Sequence, residues 1–452
     1  MDLPLQLPAG ADRTAALRCA AGTALILGAT LLALAFVQRQ FGGYDLSPII
    51  DLVWRLRNGE VPGRDFILTF PVGFVALLRV AGLFGMHWTD LTLVNAAAVL
   101  AVWLFLCSYR REFLGVPRLA VASAAILVIA LLYTNHLWHS ALTQLWAIAL
   151  VFATHVALRT PRPAATHLLR LALAAALVAT AKQNVAPPLL LGTLGWVLVA
   201  GGAARLRLAT ALVGGVAGGL IMAMGMLGMS AADLAFTYTA VAGRARPGVE
   251  MLDVVFGSRV HQVLIAILLV QTGIALWLMR RDWRAQQRPY LLGCLLVAAL
   301  PVVTDWDSKM NNMALPLFVL MLLFYQDTQA GLLSRLWPAP GSALPREAGA
   351  SPHETPEPTV LFLLALVLAW AVWAGYGRER MGGVGPFFEL PANERITGGY
   401  FDGLATGKRM ATIVREIGIA VPVAQSGTPV PRVFFGPRIE FGYALLIRNH
   451  PS

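Results

Sequence analysis

The sequence predicts an all-α polytopic membrane bundle of about eleven transmembrane helices. Hydrophobic residues make up 57% of its 452 residues and charged residues only 13%, whereas soluble domains carry about 25% charged residues. Apolar runs recur along the chain and are separated by short loops that contain arginine. A soluble protein of this composition could not cover its surface with polar side chains, but a protein surrounded by lipid has no such requirement.

The first apolar run, residues 19–37, follows Arg13 and Arg18. Residues 33–35, Ala-Leu-Ala, resemble a signal-peptidase site. The run is long for a signal peptide, so we expect a retained anchor with a cytoplasmic N-terminus. The later runs are 90–109, 119–134, 138–158, 169–181, 185–201, 208–228, 260–279, 289–303, 313–325 and 359–376.

The distribution of arginine predicts the orientation, because positive loops stay cytoplasmic. Alternating the runs from an inside start places the arginine clusters in inside loops, whereas the outside turns near His136 and Lys182 hold almost no positive charge. We therefore expect a multi-pass membrane protein whose C-terminus lies on the outside face; the resemblance described below implies that this membrane is the bacterial inner membrane and this face the periplasmic one. The net charge of +11 does not indicate a nucleic-acid partner, since the basic residues do not cluster on one soluble face. The inside arginines include Arg110, Arg111, Arg118, Arg159, Arg162, Arg170, Arg205, Arg207, Arg280, Arg281, Arg284 and Arg288.

The first outside loop, residues 38–89, departs from this distribution because it carries five arginines, but it is still assigned outside, since the rule is weakest for long loops. Its many charges of both signs predict a folded loop that forms a site. Residues 47–58 are predicted to form a short juxtamembrane helix with Ser47 as its N-cap. Residues 71–84 are apolar but too short to span, so a second helix is expected to lie in the interface or to re-enter the bilayer. Residues 59–66 join the two helices.

The chain is predicted to divide into a transmembrane module and smaller parts after it. Proline, alanine, glycine and glutamate enrich the segment that follows the module, which predicts a flexible linker. The predicted parts are the module 1–325 with a second outside loop 229–259, a cytoplasmic linker 326–358, a last transmembrane helix 359–376, and a small periplasmic α/β tail 377–452 with a strand at 432–435 and an apolar stretch at 441–447.

Ionisable residues at the ends of spans are candidates for function, because they are costly at membrane depth. Asp45, just after the first span, suits a general base that deprotonates an acceptor. Alternatively it caps the helix that follows or pairs with its dipole. Asp65 could hold an acceptor, a metal or an arginine, or it could form a loop salt bridge with Arg64, which is worth little if exposed.

Lys182 is one of three lysines in the chain and begins a Lys-Gln-Asn sequence at the tip of an apolar hairpin. It could grip a phosphate as a point charge, or it could snorkel and only fix helix depth. The segment 304–312 contains Asp305 and Lys309 beside two amides, which suits sugar hydroxyls or a phosphate. It could equally be a hydrated turn.

Two histidines three residues apart, His136 and His139, lie at another outside span end, where aromatic and histidine side chains commonly form an interfacial belt. A metal site needs more ligands than the sequence supplies, and its cysteines, Cys19, Cys107 and Cys294, are scattered. Arg244, with Arg246, is a weaker candidate for phosphate contact. The sequence shows no Walker, dinucleotide-binding, zincin or nucleophile-elbow motif, so a nucleotide-sugar donor or ATP drive is not expected.

The layout resembles the GT-C class of membrane glycosyltransferases, and is similar to bacterial relatives of protein O-mannosyltransferases and lipid A aminoarabinose transferases. The resemblance covers residues 19–325. It rests on Tyr44-Asp45 at the start of a long outside loop with two juxtamembrane helices, on the segment Gly-Glu-Val-Pro-Gly-Arg-Asp-Phe at 59–66, on Phe70-Pro71, and on the Lys-Gln-Asn hairpin at 182–184. Many relatives have Tyr where this chain has Gly63.

The resemblance implies transfer of a hexosyl or pentosyl group from a polyprenyl-phosphate donor to an envelope acceptor on the periplasmic face. Asp45 would be the general base, Asp65 would support it, and Lys182 would hold the donor phosphate. Some members have a second acid directly after the first, whereas here Leu46 follows Asp45. No cofactor and no metal are predicted, although metal dependence varies within the class. The residues expected to bind substrate are Tyr44, Arg64, Lys182, Gln183, Asn184, His136, Asp305, Lys309 and Arg244.

Two other functions compete with the transferase. A transporter or flippase would place charges in the middle of spans, often at broken helices, whereas here the ionisable residues gather at outside ends. A non-catalytic subunit that assembles the envelope could retain the same fold.

Overall fold

The computed structural model describes residues 10–32, 34, 47–68, 70–83, 88–109, 127–128, 139–160, 162–242, 394–396 and 405–420. These residues are mostly helical, as predicted. The helices of the first part are α1 Gly10–Leu32, α2 Ser47–Arg57, α3 Val72–Leu83, α4 Trp88–Cys107, α5 His139–Arg159, α6 Ala165–Ala179, α7 Ala186–Ala200, α8 Arg205–Leu227 and α9 Ala231–Ala242, with a 3-10 turn, Gly202–Ala204, before α8.

Two helical segments of the described residues are long and apolar enough to cross a membrane, Arg13–Leu32 and Gly202–Leu227. Shorter apolar helical segments are Leu91–Cys107, Leu142–Leu158, Ala165–Ala179 and Ala186–Ala200. The predicted runs 260–279, 289–303, 313–325 and 359–376, and most of 119–134, lie outside the described residues. The expected total of about eleven spans therefore stays a prediction.

Both helices predicted in the first outside loop are present, within two residues of the expected ends. Gly59, with φ +83°, follows the end of α2. The first turns of α3 are buried, and α3 packs against α2, α4 and α8. This helix is therefore part of the bundle rather than a peripheral surface helix.

The closest helix pair in the described part of the bundle is α6 and α8. A Cβ atom added at Gly215 or Gly219 of α8 would overlap the backbone of Ala172 or Ala176 of α6, respectively. Spacing of four residues puts the two glycines on one face of α8, and small residues at such spacing let helix backbones approach in membranes. Residue numbers rise together across the contact, so α6 and α8 run parallel.

The bundle has two ends, which we name by their residues. The hairpin end contains the turn at 180–185 between α6 and α7, and the arginine end contains the connections before α6 and α8, with Arg162, Arg205 and Arg207. At the arginine end the guanidinium of Arg170 lies 4.5 Å from the ring centroid of Tyr109, the buried residue after α4.

The described part of the tail contains both strand and helix. Strand β1, Glu394–Arg395, pairs antiparallel with β2, Ala405–Thr406, so that Glu394 faces Thr406. Helix α10, Lys408–Ala420, follows and contacts β1. The predicted strand at 432–435 and the apolar stretch at 441–447 lie outside the described residues.

Candidate functional site

The loop between α2 and α3 is attached to α2 by Arg55. Its guanidinium binds Asp51 one turn earlier at 2.8 Å and Glu60 in the loop at 3.0 Å, and it lies 5.5 Å from the ring centroid of Phe66. Burial lowers the pKa of Arg55, but the hydrogen bonds and charges of Asp51 and Glu60 outweigh burial and raise it overall. The cation thus joins the helix to the loop.

Asp65 closes this loop upon itself. Its carboxylate accepts a hydrogen bond of 2.6 Å from the backbone N–H of Val61, and its own N–H donates to the Val61 carbonyl at 2.9 Å. The side chain is exposed. Asp65, which the sequence suggested could hold an acceptor, therefore also has a structural role. It stabilises the turn that contains Gly63 and Arg64.

Gly63 brings the loop against α9. Its φ of +82° is in the left-handed region, and a Cβ atom there would lie 2.5 Å from the carbonyl oxygen of Asp233 and 3.0 Å from Thr237 Oγ1. Only glycine combines this conformation with such a close approach. The contact joins the first predicted outside loop to the second.

Arg64 strengthens the same contact, because its guanidinium forms an ion pair of 3.0 Å with Asp233. The alternative salt bridge between Arg64 and Asp65 is not formed. Asp233 also accepts a hydrogen bond of 2.7 Å from the N–H of Ser230, and Ser230 Oγ accepts one of 3.2 Å from the N–H of Asp233. This reciprocal cap begins α9.

The pKa of Asp233 lies below its usual range. The largest cause is the hydrogen bond from the Ser230 backbone, followed by the Ser230 side chain, and the guanidinium of Arg64 contributes further. Asp233 is therefore a carboxylate at neutral pH, and it serves both as a helix cap and as the partner of Arg64.

Lys182 lies at the start of the turn between α6 and α7 and is only 7% exposed. Its N–H donates to Thr143 Oγ1 at 3.2 Å, and its carbonyl accepts from the N–H groups of Val185 and Ala186 at 2.9 and 2.8 Å. Thr143 in turn donates to the carbonyl of His139 at 2.8 Å. The backbone of this lysine is therefore fixed by the first turn of α5 and by the start of α7.

Three further hydrogen bonds hold the turn to its neighbours. The N–H of Gly73, in the first turn of α3, donates to the carbonyl of Thr180 at 2.9 Å. Gln183 Nε2 donates to the carbonyl of Phe70 at 3.4 Å, and Tyr238 of α9 donates to the carbonyl of Ala179 at 3.2 Å. Burial raises the pKa of Tyr238 to about 12, so its hydroxyl stays protonated at neutral pH. Elements α3, α5, α7 and α9 all meet the turn.

An aromatic cluster lies beside Lys182. The ring of His139 is edge-on to Phe70 and Phe74, with centroid distances of 5.5 and 5.8 Å, and the two phenylalanines are 5.5 Å apart. The N–H of Lys182 donates to Thr143, which donates to the His139 carbonyl, so this cluster lies next to the turn. A cation beside aromatic rings, at the end of an apolar bundle, suits a ligand with an anionic group and an apolar portion.

The structure brings some of the predicted site residues to one end of the bundle. Gln183 and Asn184 share the turn with Lys182, while Arg64 and Asp65 belong to the loop that leads to Phe70 and the same turn. Within the described ranges, Arg64 and Asp65 contact α9 and their own loop. The remaining candidates, Tyr44, Asp45, His136, Arg244, Asp305 and Lys309, lie outside the described residues.

Two features of the described bundle were not predicted, although local sequence patterns indicate both of them. The Ser-x-x-Asp pattern at 230–233 is a capping signal that would have located α9, and the Gly-x-x-x-Gly spacing at 215–219 signals close helix packing. His139, which was expected in an interfacial belt with His136, packs against Phe70 and Phe74 at the hairpin end.

Among the residues that the structure describes, no group of three His, Cys, Asp or Glu side chains could hold a metal ion. Comparisons with protein-family models, with curated proteins and with solved structures found no match.

Proposed function

We propose that the chain is a polytopic inner-membrane glycosyltransferase of the GT-C type, which moves a sugar from a polyprenyl-phosphate donor to a periplasmic envelope acceptor. The observation that carries this proposal is the burial of Lys182 at the hairpin end, in a turn that hydrogen bonds fix to Thr143 of α5 and to Phe70 before α3. A phosphate is attracted more strongly to a cation in such surroundings, because Coulomb attraction grows as the effective dielectric constant falls.

The distribution of charge along the bundle supports a donor of this kind. The described loop and turns of the hairpin end carry charges of both signs, with Arg64 and Lys182 beside Glu60, Asp65 and Asp233, whereas the described connections of the arginine end carry arginines and no carboxylate. If the arginine end is cytoplasmic, the hairpin end faces the periplasm. A polyprenyl phosphate keeps its hydrocarbon in lipid and presents its phosphate and sugar at that boundary.

The proposed reaction is a substitution at the anomeric carbon of the sugar. The bond from that carbon to the phosphate oxygen breaks, a bond to the acceptor oxygen or nitrogen forms, and Asp45 takes the acceptor proton. The leaving phosphate gains negative charge, which Lys182 stabilises. Gln183 and Asn184, which lie in the same turn as Lys182, would bind donor or acceptor, and Asp65 would support Asp45 at the acceptor.

The proposal is tested by comparing envelope glycans and lipids, by mass spectrometry, in cells with and without the protein. We expect a lipid-linked sugar to accumulate and a modified acceptor to disappear when the chain is absent. Asp45→Asn and Lys182→Gln should each reproduce this pattern while the protein inserts normally, and Lys182→Arg should retain part of the transfer. Loss of one charge-stabilising group typically lowers a rate by about 10²–10³-fold.

Lys408→Gln is the matched control, because Lys408 is an exposed lysine at the start of α10. It should leave transfer unchanged. If the chain is instead a transporter or flippase, its absence should leave the lipid-linked sugar in the cytoplasmic leaflet. Detergent extracts of the cells that lack it should then retain every transferase reaction. Full transfer by the Asp45→Asn protein would reject the base assignment, and full transfer by Lys182→Gln would reject the phosphate role.

A further inference from the structure

The arginine end carries positive charge that the described residues do not neutralise. Between Glu112 and Asp233 the sequence contains no carboxylate side chain, so α5 to α8 and their connections bring only cations to this end. Arg162, Arg205 and Arg207 are exposed and form no ion pair with any described residue. A group of exposed cations at one level of a bundle attracts anions from its surroundings.

The packing of α6 on α8 sets the relative height of these arginines. Ala172 lies opposite Gly215 and Ala176 lies opposite Gly219. The offset in residue number between α6 and α8 is therefore the same in both contacts. Carried back along two parallel helices that rise about 1.5 Å per residue, this register places the first turn of α8 level with the residues just before α6. Arg205 and Arg207 are therefore level with the extended residues that precede α6, among which is Arg162.

Apolar side chains on the same two helices are exposed next to these cations. Leu206 is 70% exposed between the two arginines of α8, and Leu169 and Val213 are 60% and 55% exposed on the turns that follow. A soluble anion would match the cations alone. A phospholipid matches both features, since its phosphate lies at the height of the arginines and its acyl chains lie along the exposed apolar residues.

We propose that Arg162, Arg205 and Arg207 bind the phosphates of anionic phospholipids in the cytoplasmic leaflet. Guanidinium groups bind phosphate oxygens through two parallel N–H donors. Arg170, held over Tyr109, lies about two turns deeper and is not part of this site. The proposal requires that the bundle is embedded in a membrane, but it is independent of glycosyl transfer.

The test is native mass spectrometry of the full chain in detergent, titrated with phosphatidylglycerol or phosphatidylcholine. We expect phosphatidylglycerol to be retained preferentially. The double variant Arg205→Gln, Arg207→Gln should lose about 25-fold in affinity for it, because each basic side chain near an anionic lipid surface contributes about fivefold. The double variant Arg205→Lys, Arg207→Lys should bind more tightly than the glutamine variant, because it keeps the charge and loses only the paired donors, which separates loss of charge from loss of fold.

Arg57→Gln is the matched control, because Arg57 is an exposed arginine at the end of α2, away from the arginine end. It should bind phosphatidylglycerol as the unaltered chain does. Equal retention of the two lipids, or unchanged affinity in the double glutamine variant, would overturn the proposal. Competition by millimolar inorganic phosphate would also overturn it, since the site would then recognise a free anion rather than a lipid.

Discussion

Arg64, in the loop after α2, forms an ion pair of 3.0 Å with Asp233 in the first turn of α9, although the two residues are 169 positions apart in the chain. Gly63 beside it packs on the same turn of α9. Both loops were predicted to lie outside the membrane, and they meet at the end of the bundle that holds Lys182. The joined loops therefore border the proposed site as one folded unit.

Gly63 should tolerate substitution less well than Gly59. Both glycines have φ near +80°, but a Cβ atom at Gly59 meets nothing within 4 Å, whereas one at Gly63 meets the Asp233 carbonyl. Gly59→Ala should therefore cost only the conformational penalty of about 1–2 kcal/mol. Gly63→Ala should cost about 3 kcal/mol, because overpacking is added. Thermal unfolding in detergent measures both, and equal losses would contradict the packing of Gly63 on α9.

The contact between the two loops should weaken in acid. The folded pKa of Asp233 is lowered, chiefly by Ser230 and further by Arg64, so its contribution to stability is present at neutral pH. That contribution begins to be lost as the pH falls through the ordinary aspartate pKa of about 3.9, and it is gone below the lowered folded pKa. Proteolysis of the 59–66 loop between pH 6 and pH 3 measures this.

Asp233→Asn should remove that pH dependence, since the amide has no proton to gain in this range. Arg64→Gln should reduce it only in part, because the cap with Ser230 remains. A loop whose cleavage depends on pH equally in Asp233→Asn and in the unaltered chain would show that another group is responsible.

The helical bundle could be predicted because hydrophobic runs report burial in lipid or in protein directly, whatever their partners. The hairpin at Lys182 and helix α3 were located for that reason, whereas α2 was located by its N-cap signal at Ser47. Contacts between distant segments could not be predicted, because the pairing of Arg64 with Asp233 depends on how the bundle folds and not on local pattern. The neighbours of His139 could not be predicted for the same reason, since Phe70 and Phe74 come from another part of the chain.

Substitution of glycine by alanine in α8 should destabilise the protein only on the side of the helix that packs against α6. Gly215→Ala would push a methyl group into the backbone of Ala172 in α6, whereas Gly218→Ala would meet nothing within 4 Å. Overpacking typically costs about 1–3 kcal/mol, while alanine in place of an exposed helical glycine gains up to about 1 kcal/mol. Unfolding of the two variants in the same detergent should therefore shift in opposite directions. Similar shifts would mean that α6 and α8 do not meet through Gly215.

The orientation of α8 can be tested at two exposed alanines that flank its apolar segment. Ala203 lies in the 3-10 turn at the arginine end, and Ala232 lies in the first turn of α9 beyond the other end of α8. In a chain without its native cysteines, we expect Ala232→Cys to react with a membrane-impermeant maleimide on spheroplasts. Ala203→Cys should react only after permeabilisation, because arginine-rich ends stay cytoplasmic. The reverse pattern would place Lys182 in the cytoplasm, where a periplasmic acceptor could not reach it, and reaction of both cysteines from outside would mean that α8 does not cross the membrane.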